Sequence, residues 1–219
     1  ARRQNRGMAG AKTQVMLCGI PNVGKSTFIN TFAGSARAKA ADRPGVTKGK
    51  QWVSTEKFDL LVIDDGSPDG TASVVKEKQQ EYPGQLHLIE RQGKLGLGTA
   101  YLTGFQWALE HGYDYIFEMD CDFSHNPDDL VRLLNAAQEG ADLVIGSRYI
   151  TGVNVVNWPM KRVLMSYYAS AYVRFVTGMP VRDATAGFVC YSAKLLRTMD
   201  MDAVRMKGYG FQGEMKYTA

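Results

Sequence analysis

"LLVIDDGSPDGT", residues 60–71, runs four apolar side chains into two aspartates and then into a cluster of turn-forming residues. An apolar run that short, closed by Asp64 and Asp65, predicts a buried strand ending at the carboxyl edge of an α/β sheet. Ser67-Pro68-Asp69-Gly70 predicts the turn that follows, and residues 71–81 read as a helix. The same rhythm continues downstream: strand over 85–91, helix over 98–112, strand over 113–120, helix over 126–140, strand over 141–149. In the last of these helices Asn126 suits the N-cap and Pro127 the first helical position. This alternation predicts an α/β fold on a mainly parallel sheet with helices on both faces.

Upstream, "TQVMLCGI" (13–20) reads as a buried strand and "KSTFINTFAG" (25–34) as a helix, with a glycine loop between them. "QWVST" (51–55) and "FDLLVID" (58–64) read as strands in a hairpin-like arrangement. "KGKQWVST" and "LHLIER" therefore compete for one edge of the 58–64 strand. The expected winner is "LHLIER", because the longer strand–helix–strand framework buries more apolar surface.

The chain of 219 residues suits one α/β domain or a domain and a half. It contains no apolar run of eighteen residues and no signal-type h-region at the N-terminus. Three scattered cysteines, Cys18, Cys121 and Cys190, argue against a disulfide framework, so a cytoplasmic setting is the default. Charge is unevenly distributed. Residues 1–57 carry eleven Lys/Arg against two Asp/Glu, whereas the remainder carries fifteen against twenty. A basic segment of that kind favours RNA or phosphate partners, and residues 1–12 read as a flexible basic tail.

Two constellations carry chemistry. Gly19 to Ser26 fits G-x-x-x-x-G-K-[ST] between a strand and a helix. Backbone N–H groups of such a loop point at phosphate oxygens, Lys25 adds a point charge, and the Ser26 hydroxyl is placed to ligate Mg²⁺. In the second constellation, Asp120 and Asp122 end an apolar strand, so period-two alternation puts both carboxylates on one side of the sheet's carboxyl edge. Two hard oxygen donors there suit Mg²⁺ or Mn²⁺ bridging a nucleotide diphosphate. Arg148 follows a buried strand, where a guanidinium fork fits a lipid phosphate or a diphosphate. Asp64 and Asp65 read either as donor contacts or as turn chemistry, and Lys94 as a residue approaching donor phosphates. Gly96-x-Gly98 lacks the third glycine and the acidic partner of a dinucleotide fingerprint. "WPMKRVLMSYYASAYVRFVTGMPV" (158–181) reads equally as a core helix or as an amphipathic helix lying in a bilayer interface.

"GIPNVGKSTFIN" with "DRPGVTKGKQW" resembles the circularly permuted GTPases of ribosome assembly over residues 5–61. That resemblance implies a phosphate loop of Gly19, Asn22, Gly24, Lys25, Ser26 and Thr27, with Thr47 sensing a γ-phosphate. It also implies GDP or GTP as ligand, and RNA or the ribosome as partner. From residue 58 to the end, "VIDDGSPDGT", "GKLGLGTAY", "FEMDCDFSHNPDDL", "IGSRYITGVNVVNWP", "RDATAGF" and "KGYGFQGEMKYTA" resemble the polyprenol-phosphate mannosyltransferases of glycosyltransferase family 2. This implies a GT-A-like fold and transfer of mannose from GDP-mannose to polyprenyl (dolichyl) phosphate at the cytoplasmic face of a membrane. Asp122 and Arg148 are then the expected catalytic pair, Asp64, Asp65, Lys94 and Asp120 the donor contacts, and Asp120 and Asp122 the metal ligands. The expected organisation is a chimera. A phosphate-loop fragment over 1–57 supplies the first strand and helix of a transferase domain over 58–219 that lacks its own first strand and its C-terminal part. The alternatives are a GTP-binding module and a chimera without activity.

Overall fold

The computed structural model describes residues 58–120, 125, 129–150, 159–208 and 210–219, together with the backbone course of 14–18. The phosphate loop, Thr47, the "QWVST" segment, the Asn126-Pro127 cap and Asp122 lie outside the described residues.

Six strands form one sheet: β1 (Gln14–Cys18), β2 (Asp59–Asp64), β3 (Leu86–Glu90), β4 (Tyr115–Glu118), β5 (Leu143–Ile145) and β6 (Val189–Ser192). Their order is β3-β2-β1-β4-β6-β5. The helices are α1 (Thr71–Glu81), α2 (Leu97–Glu110), α3 (Asp129–Gln138), α4 (Met160–Thr177), α5 (Ala193–Thr198) and α6 (Phe211–Thr218). β1 lies parallel between β2 and β4, with Leu17 opposite both Leu61 and Glu118. The first strand therefore lies inside the sheet, beside β2. β3 pairs parallel with β2 from Leu60↔Leu86 to Asp64↔Glu90, so "LHLIE" occupies the contested edge.

The expectation of a mainly parallel sheet needs correction. β6, "VCYS", runs antiparallel to both neighbours, with Phe117↔Cys190 on one side and Val144↔Cys190 on the other. The sheet is thus mixed. Its periodicity gave no warning: all four β6 residues are buried, so no in–out alternation marks the strand. The segment before it is irregular and polar, and it brings the chain back toward the carboxyl edge.

Period-two alternation elsewhere sorts the core cleanly. Leu60, Val62, Phe117 and Cys190 pack on one face with Val75 of α1 and Leu130, Leu133 and Leu134 of α3. Leu61, Ile63, Ile116, Val189 and Tyr191 pack on the other with Tyr101 and Phe105 of α2, Leu196 of α5 and Phe211 and Met215 of α6. Glu118 shares the parity of Ile116, so its carboxylate enters the second, otherwise apolar layer.

Candidate active site at the carboxyl edge

The turn after β2 is held by its first aspartate. Asp64 is buried, and its Oδ2 accepts the Gly66 and Ser67 N–H groups at 3.1 and 3.0 Å. That is turn chemistry, one of the two readings open for this residue. Asp65 turns to Arg91, the residue after β3. Arg91 Nε and Nη2 donate to its two carboxylate oxygens at 2.6 and 2.7 Å, and Nη1 reaches Thr99 Oγ1 at 3.0 Å. The two side chains are 10% and 8% exposed, a nearly closed fork. Its consequence is local. The loop 92–96, which carries the exposed Lys94, starts at Arg91 and ends where Thr99 caps Gly96 O at 2.8 Å. Gly98 N–H then donates to Lys207 O at 3.1 Å, which draws the segment before α6 over the same loop.

Asp120 stands two residues beyond β4. Among the described residues its carboxylate accepts no hydrogen bond, and the His125 imidazole stands beside it, with Nε2 3.9 Å from Oδ2. His125 is itself stacked on Phe188 at 5.0 Å between centroids. Gly187 faces the same carboxylate: a Cβ there would stand 2.9 Å from Asp120 Oδ2, closer than Cβ atoms approach. A carboxylate left open at a strand end, beside a backbone without a side chain, fits a hard divalent cation. No group of three or more His, Cys, Asp or Glu able to hold a metal occurs among the described residues.

Arg148 is differently placed from the free fork expected of it. Its Nε and Nη2 donate to Asp183 Oδ2 and Oδ1 at 2.8 and 2.7 Å, and Nη2 also to Thr185 Oγ1 at 2.8 Å. Its backbone N–H meets Asp183 Oδ2 at 3.1 Å. Asp183 is fully buried and Arg148 is 14% exposed. Burial alone would raise the Asp183 carboxyl and lower the guanidinium. The hydrogen bonds and charge of the pair reverse both, holding Asp183 below and Arg148 above their ordinary values.

Beneath Asp120 lies a second ionisable pair. Glu118 is fully buried, takes Tyr191 OH on Oε1 at 3.5 Å, and has no partner for Oε2 among the described residues. Lys216 of α6 donates to Ala186 O at 2.7 Å, Gln212 O at 3.0 Å and Gln212 Oε1 at 3.2 Å. Burial pushes the Glu118 carboxyl up and pulls the Lys216 ammonium down, while their mutual attraction opposes both shifts.

α4 is largely exposed. Only Val163 and Ser170 of its eighteen residues are buried. Leu164, Met165, Tyr167, Tyr168, Tyr172, Phe175 and Val176 face outward, Phe175 at 89% exposure, with Lys161, Arg162 and Arg174 exposed among them. No helix among the described residues is long and apolar enough to cross a membrane.

Residues 48–204 match the family described as Glycosyl transferase family 2. The chain belongs to that family. Within it, the "Polyprenol monophosphomannose synthase" of Mycolicibacterium smegmatis is 47% identical over 160 residues, 73% of this chain and 60% of that protein. The "Undecaprenyl-phosphate mannosyltransferase" of Micrococcus luteus is 46% identical over 172 residues, 78% of this chain and 70% of that one. The "Dolichol-phosphate mannosyltransferase" of Pyrococcus furiosus is 31% identical over 68% of this chain and 42% of its own length. The chain thus spans only about 60% of the mycobacterial relative's length. Among solved structures, glucosyl-3-phosphoglycerate synthase from Mycobacterium tuberculosis bound to uridine diphosphate superposes with a TM-score of 0.56 at 17% identity, covering 95% of this chain and 65% of that one. This likeness shows a GT-A-like fold. The GTPase resemblance of residues 5–61 rests on its sequence motifs alone.

Of the expected family 2 residues, the structure brings Asp65, Lys94, Asp120 and Arg148 to one edge of the sheet and buries Asp64 in its turn. Sequence reasoning missed Arg91, Asp183, Gly187, Glu118 and Lys216. A signal was present for two of them. Glu118 breaks an apolar strand, and Asp183 opens "DATAGF", whose small residues leave a carboxylate as the feature to explain.

Proposed function

We propose that the chain transfers mannose from GDP-mannose to a polyprenyl (dolichyl) phosphate, with Mg²⁺ or Mn²⁺ as cofactor. The observation that carries this reading is the open Asp120 carboxylate beside Gly187, at the edge where open α/β sheets bind ligands. The names and identities of the relatives supply the sugar and the lipid class. A synthase of the same fold has been solved with Mn²⁺ and UDP-glucose, which favours a divalent cation while leaving the base to be tested.

In this reading Asp120 and Asp122 would hold the cation, which would supply positive charge for the departing diphosphate. Asp64 shapes the turn on the donor side, while Asp65 and Lys94 face the nucleotide. Arg148, aimed by Asp183, meets the acceptor phosphate. A phosphate oxygen attacks the anomeric carbon from the face opposite the leaving group, the carbon–oxygen bond to the diphosphate breaks, and GDP leaves with the electron pair. The lipid phosphate is already ionised at neutral pH, so no general base is required. α4 lays its exposed aromatic and aliphatic face in the bilayer interface, its cations among anionic headgroups. The protein is then a peripheral one on the cytoplasmic face.

The test is mannosyl transfer from GDP-mannose to undecaprenyl phosphate with Mn²⁺. Loss of about 10²-fold or more is expected in Asp122→Ala. Undiminished transfer in that variant, or UDP-glucose used in preference, would overturn the reading. Flotation with phosphatidylglycerol vesicles is expected to fail in Tyr172→Glu/Phe175→Glu.

A second reading has one observation in its favour: β1, the strand that precedes the glycine loop in sequence, ends at Cys18 between β2 and β4. Under it, Lys25 and Ser26 hold GDP or GTP and the domain division falls at residue 57. Titration with GDP separates the readings, because Lys25→Ala abolishes binding under this one and Asp122→Ala under the first.

A further inference from the structure

Five residues before β6, Asp183 to Gly187, carry an unusual share of the site. Asp183 and Thr185 hold Arg148, and Gly187 faces the Asp120 carboxylate. The segment has no ladder of its own. It is tied at Ala184 N–H, which donates to Ser170 Oγ of α4 at 2.9 Å, and at Ala186 N–H, which meets Asp183 O at 3.4 Å. Besides the Arg148 fork, a further tether comes from Lys216, whose Nζ donates to Ala186 O at 2.7 Å.

Lys216 is a costly residue for that task. It is 4% exposed, and all three of its hydrogen bonds go to neutral oxygens. No carboxylate among the described residues lies within ion-pair distance of it. Desolvating an ammonium costs several kcal/mol, and a buried apolar side chain of similar volume serves cohesion better. What the ammonium gains is charge around it: Glu118 and Asp183 attract it and Arg148 repels it.

We propose that Lys216 is a positioning residue for the transfer site: by holding Ala186 O it fixes the Asp183–Gly187 segment, and through it both the aim of Arg148 and the backbone against Asp120. The claim rests on the transferase reading for what is positioned, and on the hydrogen bonds alone for the positioning itself. α6 thereby belongs to the site through Lys216.

The experiment uses Lys216→Met, which keeps the length of the side chain and removes charge and donors, beside Lys216→Arg, which keeps both. Two readouts are taken on each: amide hydrogen exchange across 183–187, and kcat and KM for GDP-mannose and undecaprenyl phosphate. Lys216→Met is expected to exchange about ten-fold faster at Ala184 and Ala186 with β2 and β4 unchanged. Its kcat is expected to fall about ten-fold or more, with KM for GDP-mannose within about three-fold. Lys216→Arg is expected to stay protected and within about three-fold of the parent kcat. Unchanged exchange in a folded Lys216→Met overturns the proposal, as does kcat that holds while exchange rises. If Lys216→Met fails to fold, the judgement passes to Lys216→Arg. A loose segment there, or failure of both variants to fold, overturns it. Should the parent chain itself transfer no mannose, the function falls, and the exchange measurement still decides the tether.

Discussion

Two arginine–carboxylate forks stand at the carboxyl edge, on opposite halves of the sheet. Asp65–Arg91 joins the ends of β2 and β3, and Asp183–Arg148 joins the end of β5 to the segment entering β6. Both are bidentate with nearly the same distances, yet their surroundings differ. The first has Thr99 and the loop of Lys94 as neighbours. The second lies above Glu118 and Lys216, so its charges are shared among four groups with little solvent. One fork anchors a loop. The other belongs to a cluster in which removing any member uncovers the rest.

The sharpest way to break this distinction is to truncate the acid of each. Asp183→Ala strands a mostly buried guanidinium and is expected to cost about 3–5 kcal/mol in denaturant unfolding. Asp65→Ala leaves Arg91 with Thr99 Oγ1 and Gly96 O as acceptors, so about 2–3 kcal/mol is expected. Equal losses would mean that the two forks are energetically alike and that the Glu118–Lys216 surroundings add nothing.

The two halves also differ in what the amino-acid sequence disclosed. On the β2–β3 side the strands, α1, α2 and the winning edge strand were all legible, since long apolar runs alternate with turns and helices at short range. Asp64 and Asp65 ended their strand as expected, and only their partners were hidden. Arg91 sits twenty-six residues from Asp65, a spacing no periodicity marks. On the other side β6 escaped notice because four buried residues show neither alternation nor length. With β6 unread, the reversal that brings Asp183 and Gly187 back to the edge was unread too. Lys216 carried no signal of its place, since burial of a lysine depends on what packs over it. Asp120 and Arg148 were found because strand ends are visible in sequence. What aims them comes from an antiparallel return and a last helix, and both are tertiary facts.

A smaller change probes the backbone on either side. Gly187→Ala pushes a methyl group against Asp120 Oδ2, at a cost of about 1–2 kcal/mol and with weakened Mn²⁺ response of transfer. Gly96→Ala meets the Lys207 backbone and side chain at 3.1 Å and has a φ of 104°, so it strains the loop over Lys94. A similar stability loss is expected there with the Mn²⁺ response intact. Identical metal titrations of the two variants would remove Gly187 from the account of the site.

The least of the expected effects concerns acid. Burial by itself would raise the Asp183 carboxyl, but the hydrogen bonds and charge of Arg148 prevail and hold it below its ordinary value of 3.8. A carboxyl lowered on folding contributes stability that is fully present above its unfolded pKa, near 4, and is lost as pH falls through the lower folded value. The parent chain should therefore lose stability below about pH 4 more steeply than Asp183→Asn, which has no proton to take up there. The comparison is of slopes, because the variant starts from a lower level once a neutral amide faces Arg148. Urea midpoints between about pH 5 and 3 provide the measurement. Parallel slopes would mean that Asp183 takes up its proton as readily folded as unfolded, and that Arg148 owes its aim to Thr185 and the backbone rather than to the buried charge.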